Sequence, residues 1–183
     1  MKKKISGNKI YIWCFCALLT VLSLLLFLPE TTVHREEREL ALQQLCLERL
    51  QKLAAICVHY AKCNNNVFPE DIMQTRSAAE ELKSKGFLKE ESLILCPSTR
   101  NTFPRTSYHF IPGIKLSMSK KMPCVIEKLT NHERKLGVIY VDGTVEQLVH
   151  NCRNYLELLP LFKGITPEEK RLLEIHLKRL DIP

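Results

Sequence analysis

The sequence predicts an α+β protein in which an N-terminal transmembrane and amphipathic helical stem packs on a small antiparallel sheet, with a helical extension at the C-terminal end. Three observations predict it. Residues 10–28 form an unbroken uncharged run; apolar residues then recur at three- and four-residue steps from Leu42 to Tyr60; and short β-prone runs follow, two of which flank Asp142-Gly143. With 183 residues, 45% hydrophobic and 26% charged, the chain can build one ordinary core but not two. The same composition excludes a disordered tail, a collagen-like repeat and a coiled-coil rod.

At about 1.5 Å per residue, the run from Ile10 to Leu28 comes close to spanning a hydrocarbon core of roughly 30 Å. Lys2, Lys3, Lys4 and Lys9 precede it without an acid, which keeps residues 1–9 cytoplasmic and sends the remainder outside. The stretch LLLFLPETT has no A-x-A-like cleavage site, so the run reads as an uncleaved signal-anchor. The expected organisation is a basic tail over 1–9, a transmembrane helix over 10–29, an amphipathic stem over 30–63, an α+β ectodomain over 64–150 and a helical extension over 151–183. The lipid bilayer is therefore an expected partner. Nucleic acid is not: setting aside those four lysines leaves 23 basic against 20 acidic residues, and a phosphate binder carries its excess on the folded domain.

Along the stem, Leu42, Leu45, Cys46, Arg49, Leu50, Leu53, Ile56, Cys57 and Tyr60 form one stripe, with charged and amide side chains opposite. Asn64-Asn65-Asn66 predicts its end, because Asn tolerates left-handed backbone. A short helix is expected over Ser77–Lys85, closed by Gly86, and strands over Leu93–Leu95, Ser107–Ile111, Cys124–Lys128, Val138–Val141 and Thr144–Val149. The Asp142-Gly143 link between the last two predicts a type I′ hairpin. Asn154–Phe162 reads as a short helix interrupted at Pro160. Thr166-Pro167-Glu168-Glu169 reads as a capping box that opens a helix to about Leu180.

Six cysteines lie beyond the apolar run: Cys46, Cys57, Cys63, Cys96, Cys124 and Cys152. In an oxidising space they are disulfide candidates, with 15 possible pairings. Were Cys46, Cys57 and Cys63 on one helix, they would stand roughly 16, 9 and 25 Å apart pairwise, beyond the reach of about 7 Å that a disulfide allows. Six pairings survive, each joining a helical cysteine to Cys96, Cys124 or Cys152; Cys57–Cys63 returns only if the helix frays after His59. No C-x-x-C or H-x-x-x-H pair supports zinc, although His59 and Cys63 stand four residues apart. No G-x-S-x-G, Walker loop or H-E-x-x-H occurs, and the six histidines share no spacing. The expectation is a non-enzyme with no catalytic residue, cofactor, metal or small-molecule substrate.

Four pieces of sequence resemble one family. The stretch from Cys46 to Pro69 is similar to the helix of bacterial proteins called prepilin-type processing-associated, with Cys46, Leu50, Tyr60, Asn64, Asn65, Phe68 and Pro69 matching and Arg49 where Asn is usual. LILCPST at Leu93–Thr99 and SYHFIPG at Ser107–Gly113 resemble its Cys-Pro-Ser and Ser-Tyr…Pro-Gly segments. His132, nine residues and then Asp142-Gly143 resemble the signature of the family. The resemblance, over about 46–149, implies a type IV pilin-like fold on the bacterial inner membrane with a periplasmic C-terminal domain. It implies a non-catalytic accessory or minor subunit of a type II secretion or type IV pilus-like system, meeting other pilin-like subunits through the stem; the alternative is a stand-alone membrane-tethered binding module. It also implies a Cys46–Cys96 disulfide. The chain departs from the family in having no Gly-Phe-Thr-like cleavage site and no acid before Glu30, which counts against prepilin processing.

Overall fold

The longest element, α1, spans Thr32–Cys63. The structure, a computed structural model, describes residues 17–21, 23, 32–71, 77–99, 105–132 and 134–182, with only the backbone for Thr32–Arg35. The chain divides into two compact units, Met1–Leu40 and Ala41–Pro183. In the first, residues 17–21 and 23 are helical, with Thr20 and Ser23 hydroxyls turned back onto the carbonyls of Ala17 and Thr20.

In the second unit, α1 buries Cys46, Leu50, Leu53, Ala54, Cys57, Tyr60 and Ala61, the steps that keep side chains on one helical face. Asn65 and Asn66 stop it at φ 53° and 63°, and the Asn66 N–H reaches back to the Ala61 carbonyl at 2.9 Å. The short helix α2, Ala78–Ser84, is tied to α1 by the Tyr60 hydroxyl donating to Glu81 and by Lys85, whose Nζ lies 2.8 Å from Glu81 and 2.8 Å from Asn64 Oδ1. Where a strand was expected at Leu93–Leu95, Glu91–Ile94 forms a 3-10 turn instead. Arg49 of α1 holds it, donating to the carbonyls of Ser92 and Leu95 at 3.1 and 2.9 Å.

Four antiparallel strands follow in spatial order: β1 (Tyr108–Phe110), β2 (Pro123–Glu127), β3 (Lys135–Tyr140) and β4 (Val145–Val149). The register pairs Tyr108 with Glu127, His109 with Ile126 and Ile126 with Val138. Because side chains alternate, Tyr108, Glu127 and Gly137 face α1, while His109, Ile126 and Val138 face the other way. Every residue of β2 is buried, as a strand covered on both faces requires. The β3–β4 link is not the type I′ turn expected. Asp142 keeps a negative φ, the Gly143 N–H donates to the Tyr140 carbonyl, and Gly143 alone is left-handed at φ 83°, so the link is a type I turn followed by a glycine bulge.

The opposite face of the sheet is covered by a 3-10 helix, Leu156–Leu161, and by α3, Pro167–Leu180. Leu158, Phe162, Leu173 and Leu177 are buried there. Thr166 and Glu169 form the reciprocal capping box, and Glu169 also accepts from the Ser119 N–H at 2.6 Å, which docks α3 on the β1–β2 connection. Tyr155 closes the layer: its hydroxyl lies 2.9 Å from His109 Nε2 and accepts the Leu129 N–H at 3.2 Å.

The architecture is α+β with an open four-stranded sheet, but it is not a pilin with a membrane stem. Among the described residues no helix is long and apolar enough to cross a membrane. The long helix α1 instead interleaves charged residues, among them Glu48, Arg49, Lys52 and Lys62, with its buried face. The membrane-spanning stem, the lipid bilayer and pilin-like subunits as its partners, and the single-pass inner-membrane topology are corrected on that finding. The remainder of the 10–29 run, on which the transmembrane expectation fell, lies outside the described residues.

Two outcomes follow from this packing. A Cβ on Gly137 would stand 2.2 Å from Leu50 Cδ1 and 2.9 Å from Glu127 Oε2, so Gly137→Ala lowers stability by about 1–3 kcal/mol, read as a lower urea midpoint; an unchanged midpoint would refute the close approach. Burial pushes the His109 pKa down from 6.5 to about 4, so the unfolded chain takes up a proton in that window before the folded one does. The stability advantage of wild type over His109→Gln, measured by urea unfolding across pH, therefore shrinks as pH falls from 6.5 to 4, whereas parallel curves would rule it out.

Candidate metal centre

Four segments deliver one potential ligand each to the junction of α1 and the sheet. Cys46 lies on the buried face of α1, and Cys96 follows the 3-10 turn that Arg49 pins. Glu127 ends β2, and His132 stands in the turn that leads into β3. All four are buried, none exposing more than 5% of its surface. Cys46 Sγ lies 3.2 Å from Glu127 Oε1, Cys96 Sγ 3.2 Å from His132 Nε2, and His132 Nε2 3.6 Å from Glu127 Oε1. The four ligand atoms all lie within 4.8 Å of one another. Around a tetrahedral zinc ion with bonds of about 2.0–2.3 Å, neighbouring ligand atoms stand roughly 3.3–3.8 Å apart, so the cluster is close to coordination geometry.

A second ring of groups orients the first. Gly137 N–H donates to Glu127 Oε2 at 2.8 Å and Asn131 Nδ2 to Glu127 Oε1 at 3.0 Å. The Ser98 N–H donates to Cys96 Sγ at 3.4 Å, and Ser98 Oγ lies 3.4 Å from His132 Nδ1. That last contact leaves Nε2 facing the cluster, the arrangement in which a ligating histidine hands its other nitrogen to a protein acceptor. Tyr108 Oη sits 3.5 Å from Cys46 Sγ.

The protonation of these groups is set by burial and by one another. The hydrogen bond from Cys46, with His132 beside it, holds Cys96 far below the usual thiol range, while the same bond and burial push Cys46 up: the two sulfurs share one proton. Burial raises Glu127 and Tyr108 as well. Thiolate, imidazole and carboxylate ligands together are the set that suits zinc, whereas calcium and magnesium take oxygen ligands.

The remaining sequence candidates lie elsewhere. Cys57 is buried on α1 and Cys124 on β2; burial raises both thiols, and Cys57 adds to the rise at Cys124. Cys63 is exposed at the end of α1, and Cys152 is half-buried after β4. Of the signature residues, His132 belongs to the cluster, while Asp142 caps its own turn by accepting the Thr144 N–H at 2.9 Å and Gly143 packs against Val58. All six cysteines beyond the apolar run are free thiols, which corrects the disulfide expectation: Cys46 and Cys96 meet as members of a ligand cluster. The expectation of a chain without chemistry is corrected by the same cluster.

Glu127 and Tyr108 were missed. The available signal was a lone acid closing an otherwise apolar strand, Cys124-Val125-Ile126-Glu127.

No protein family's sequence profile, no curated protein and no solved structure matches this chain. The pilin-family resemblance therefore has no support, and its matching pieces Cys46, Cys96 and His132 are accounted for by the cluster they build.

Thiol reactivity follows from burial. In the folded protein an alkylating reagent modifies Cys63 first, and Cys46, Cys57, Cys96 and Cys124 react only after unfolding, without reductant, as read by peptide mass. Recovery of an unalkylated Cys46–Cys96 pair from unreduced, unfolded protein would refute the free-thiol state.

Proposed function

We propose that this chain is a zinc-binding protein whose Cys46, Cys96, Glu127 and His132 hold one ion between α1 and the sheet. The observation that carries the reading is the meeting, in a buried place, of four ligand atoms from four separate segments within 4.8 Å. Side chains of this kind are costly to bury unless they are paired or coordinate a metal. An ion there would compensate two thiolates and a carboxylate at once, and it would bind the folded chain far better than the unfolded one, so binding and folding are coupled.

A second reading rests on the hydrogen bonds of Glu127. Its two oxygens already accept from Gly137 and Asn131, which can hold the carboxylate beside the ion instead of on it. Cys46, Cys96 and His132 would then be the ligands, the fourth position would be open to a water whose pKa the ion lowers, and Glu127 would be placed to take its proton.

Metal analysis of protein purified without chelator should find close to one zinc per chain, and Cys96→Ser should lose it. Cobalt in its place should show the visible bands of tetrahedral thiolate coordination. With zinc in thousandfold excess over its dissociation constant the linkage is worth about 4 kcal/mol, so stripping the ion lowers the melting temperature by roughly 10 °C for a chain of this size. A melting temperature indifferent to both zinc and chelator would sink the proposal. Glu127→Gln separates the two readings, weakening zinc strongly if the carboxylate is a ligand and leaving affinity nearly intact if it is a base.

A further inference from the structure

On the face of the sheet away from α1, a cavity of about 110 Å³ opens between the end of β1 and the last turns of α3. It shares no residue with the Cys46 cluster. Its walls are apolar, built from Phe110, Ile111, Pro112 and Leu180, and three nitrogen-bearing side chains, His109, His176 and Arg179, stand around it.

Hydrogen-bonding capacity is left over at this cavity. Tyr155 Oη accepts the Leu129 N–H, and the acceptor within reach of its own proton is His109 Nε2, 2.9 Å away; that pairing places the ring proton on the other nitrogen, Nδ1. Burial keeps that ring neutral, and Nδ1 has no partner among the described residues. The exposed Arg179 guanidinium has no carboxylate or carbonyl partner among the described residues, and its charge falls on His176. The one acid in the lining, Asp71, is turned to the backbone, accepting the Ala78 N–H at 3.0 Å and the Phe110 N–H at 3.1 Å, with Lys128 close by. Glu70, which also bears on His176, accepts the Gly113 N–H at 2.8 Å. Arg179 and His109 Nδ1 are thus the donors facing the cavity, and the acids nearby are already bound to N–H groups.

We propose that this cavity binds a small free carboxylic acid with a compact apolar body, its carboxylate on Arg179 and the His109 Nδ1–H and its hydrocarbon against Ile111 and Leu180. A cavity of about 150 Å³ holds benzene, so this one suits a ligand of roughly four to six non-hydrogen atoms. Guanidinium pairs with carboxylate through two parallel hydrogen bonds, which a neutral isostere cannot reproduce.

The test is a titration of the full chain with isobutyrate and with isobutyramide, followed by backbone amide NMR. Isobutyrate should shift Phe110, Ile111 and Leu180 saturably, and the amide should bind about tenfold more weakly or worse, the value of one charged hydrogen-bonded pair. Arg179→Gln, at an exposed position that leaves the fold intact, should weaken isobutyrate by a similar factor without changing the thermal midpoint. Equal affinity for acid and amide, an unaffected Arg179→Gln, or no saturable shift with either probe would overturn the proposal. Tighter binding of N-acetylvaline than of isobutyrate would overturn the free-acid source in favour of a chain terminus.

Discussion

Leu50 of α1 occupies the space that a side chain at position 137 would need, and the rest of the molecule is arranged around that approach. Only a strand residue without a Cβ lets the helix settle this far onto the sheet. Once it has settled, Cys46, one turn earlier, comes within hydrogen-bonding distance of Glu127, and Arg49 reaches the turn that carries Cys96. The residue that makes room for the helix also serves the carboxylate beneath it, since the Gly137 N–H donates to Glu127 Oε2. Packing and polar chemistry are therefore set by one contact.

The interior so formed is unusual in what it encloses. Two thiols, an imidazole and a carboxylate share a buried space, where unpaired charge is expensive. The chain offsets part of that expense with neutral donors, the N–H groups of Gly137 and Ser98 and the amide of Asn131. The proposed zinc ion would offset the remainder, and the two sulfurs favour it over harder cations. A carboxylate cage on the surface would favour harder ions; here two of the four candidate ligands are soft sulfurs, and all are confined.

Much of the scaffold was legible from local rules. The Asn run that stops α1, the capping box at Thr166 and the glycine-bearing turn at Asp142-Gly143 depend on neighbours within a few residues, and each marks the boundary it should. The turn type was not legible, because the sequence shows a glycine but not whether Asp142 must share its left-handed backbone. The strand expected at Leu93–Leu95 failed for a long-range reason: Arg49, more than forty residues earlier, draws the carbonyls of Ser92 and Leu95 into a tight turn. The cluster itself was invisible for the same cause. Its members sit at positions 46, 96, 127 and 132, with no repeating spacing, and only the strand register and the helix approach bring them together. Reading the cysteines as disulfide partners rested on a compartment inferred from the apolar run, and His132 was read as part of a signature.

The separation of α1 from the sheet along the chain has a consequence for how the protein is made. The strand β2 begins some sixty residues after α1 ends. At synthesis rates of about 5–20 residues per second, the apolar face of α1 waits roughly three to twelve seconds for the surface that will cover it. Leu50 and Leu53 are wetted through most of that interval, on a helix that has little tertiary packing to sustain it. The nascent chain is thus most exposed to aggregation, and most attractive to holdase chaperones, between the emergence of Cys63 and that of Glu127. Slower translation across that stretch would prolong the exposure, a pressure on the coding sequence that the finished fold no longer displays.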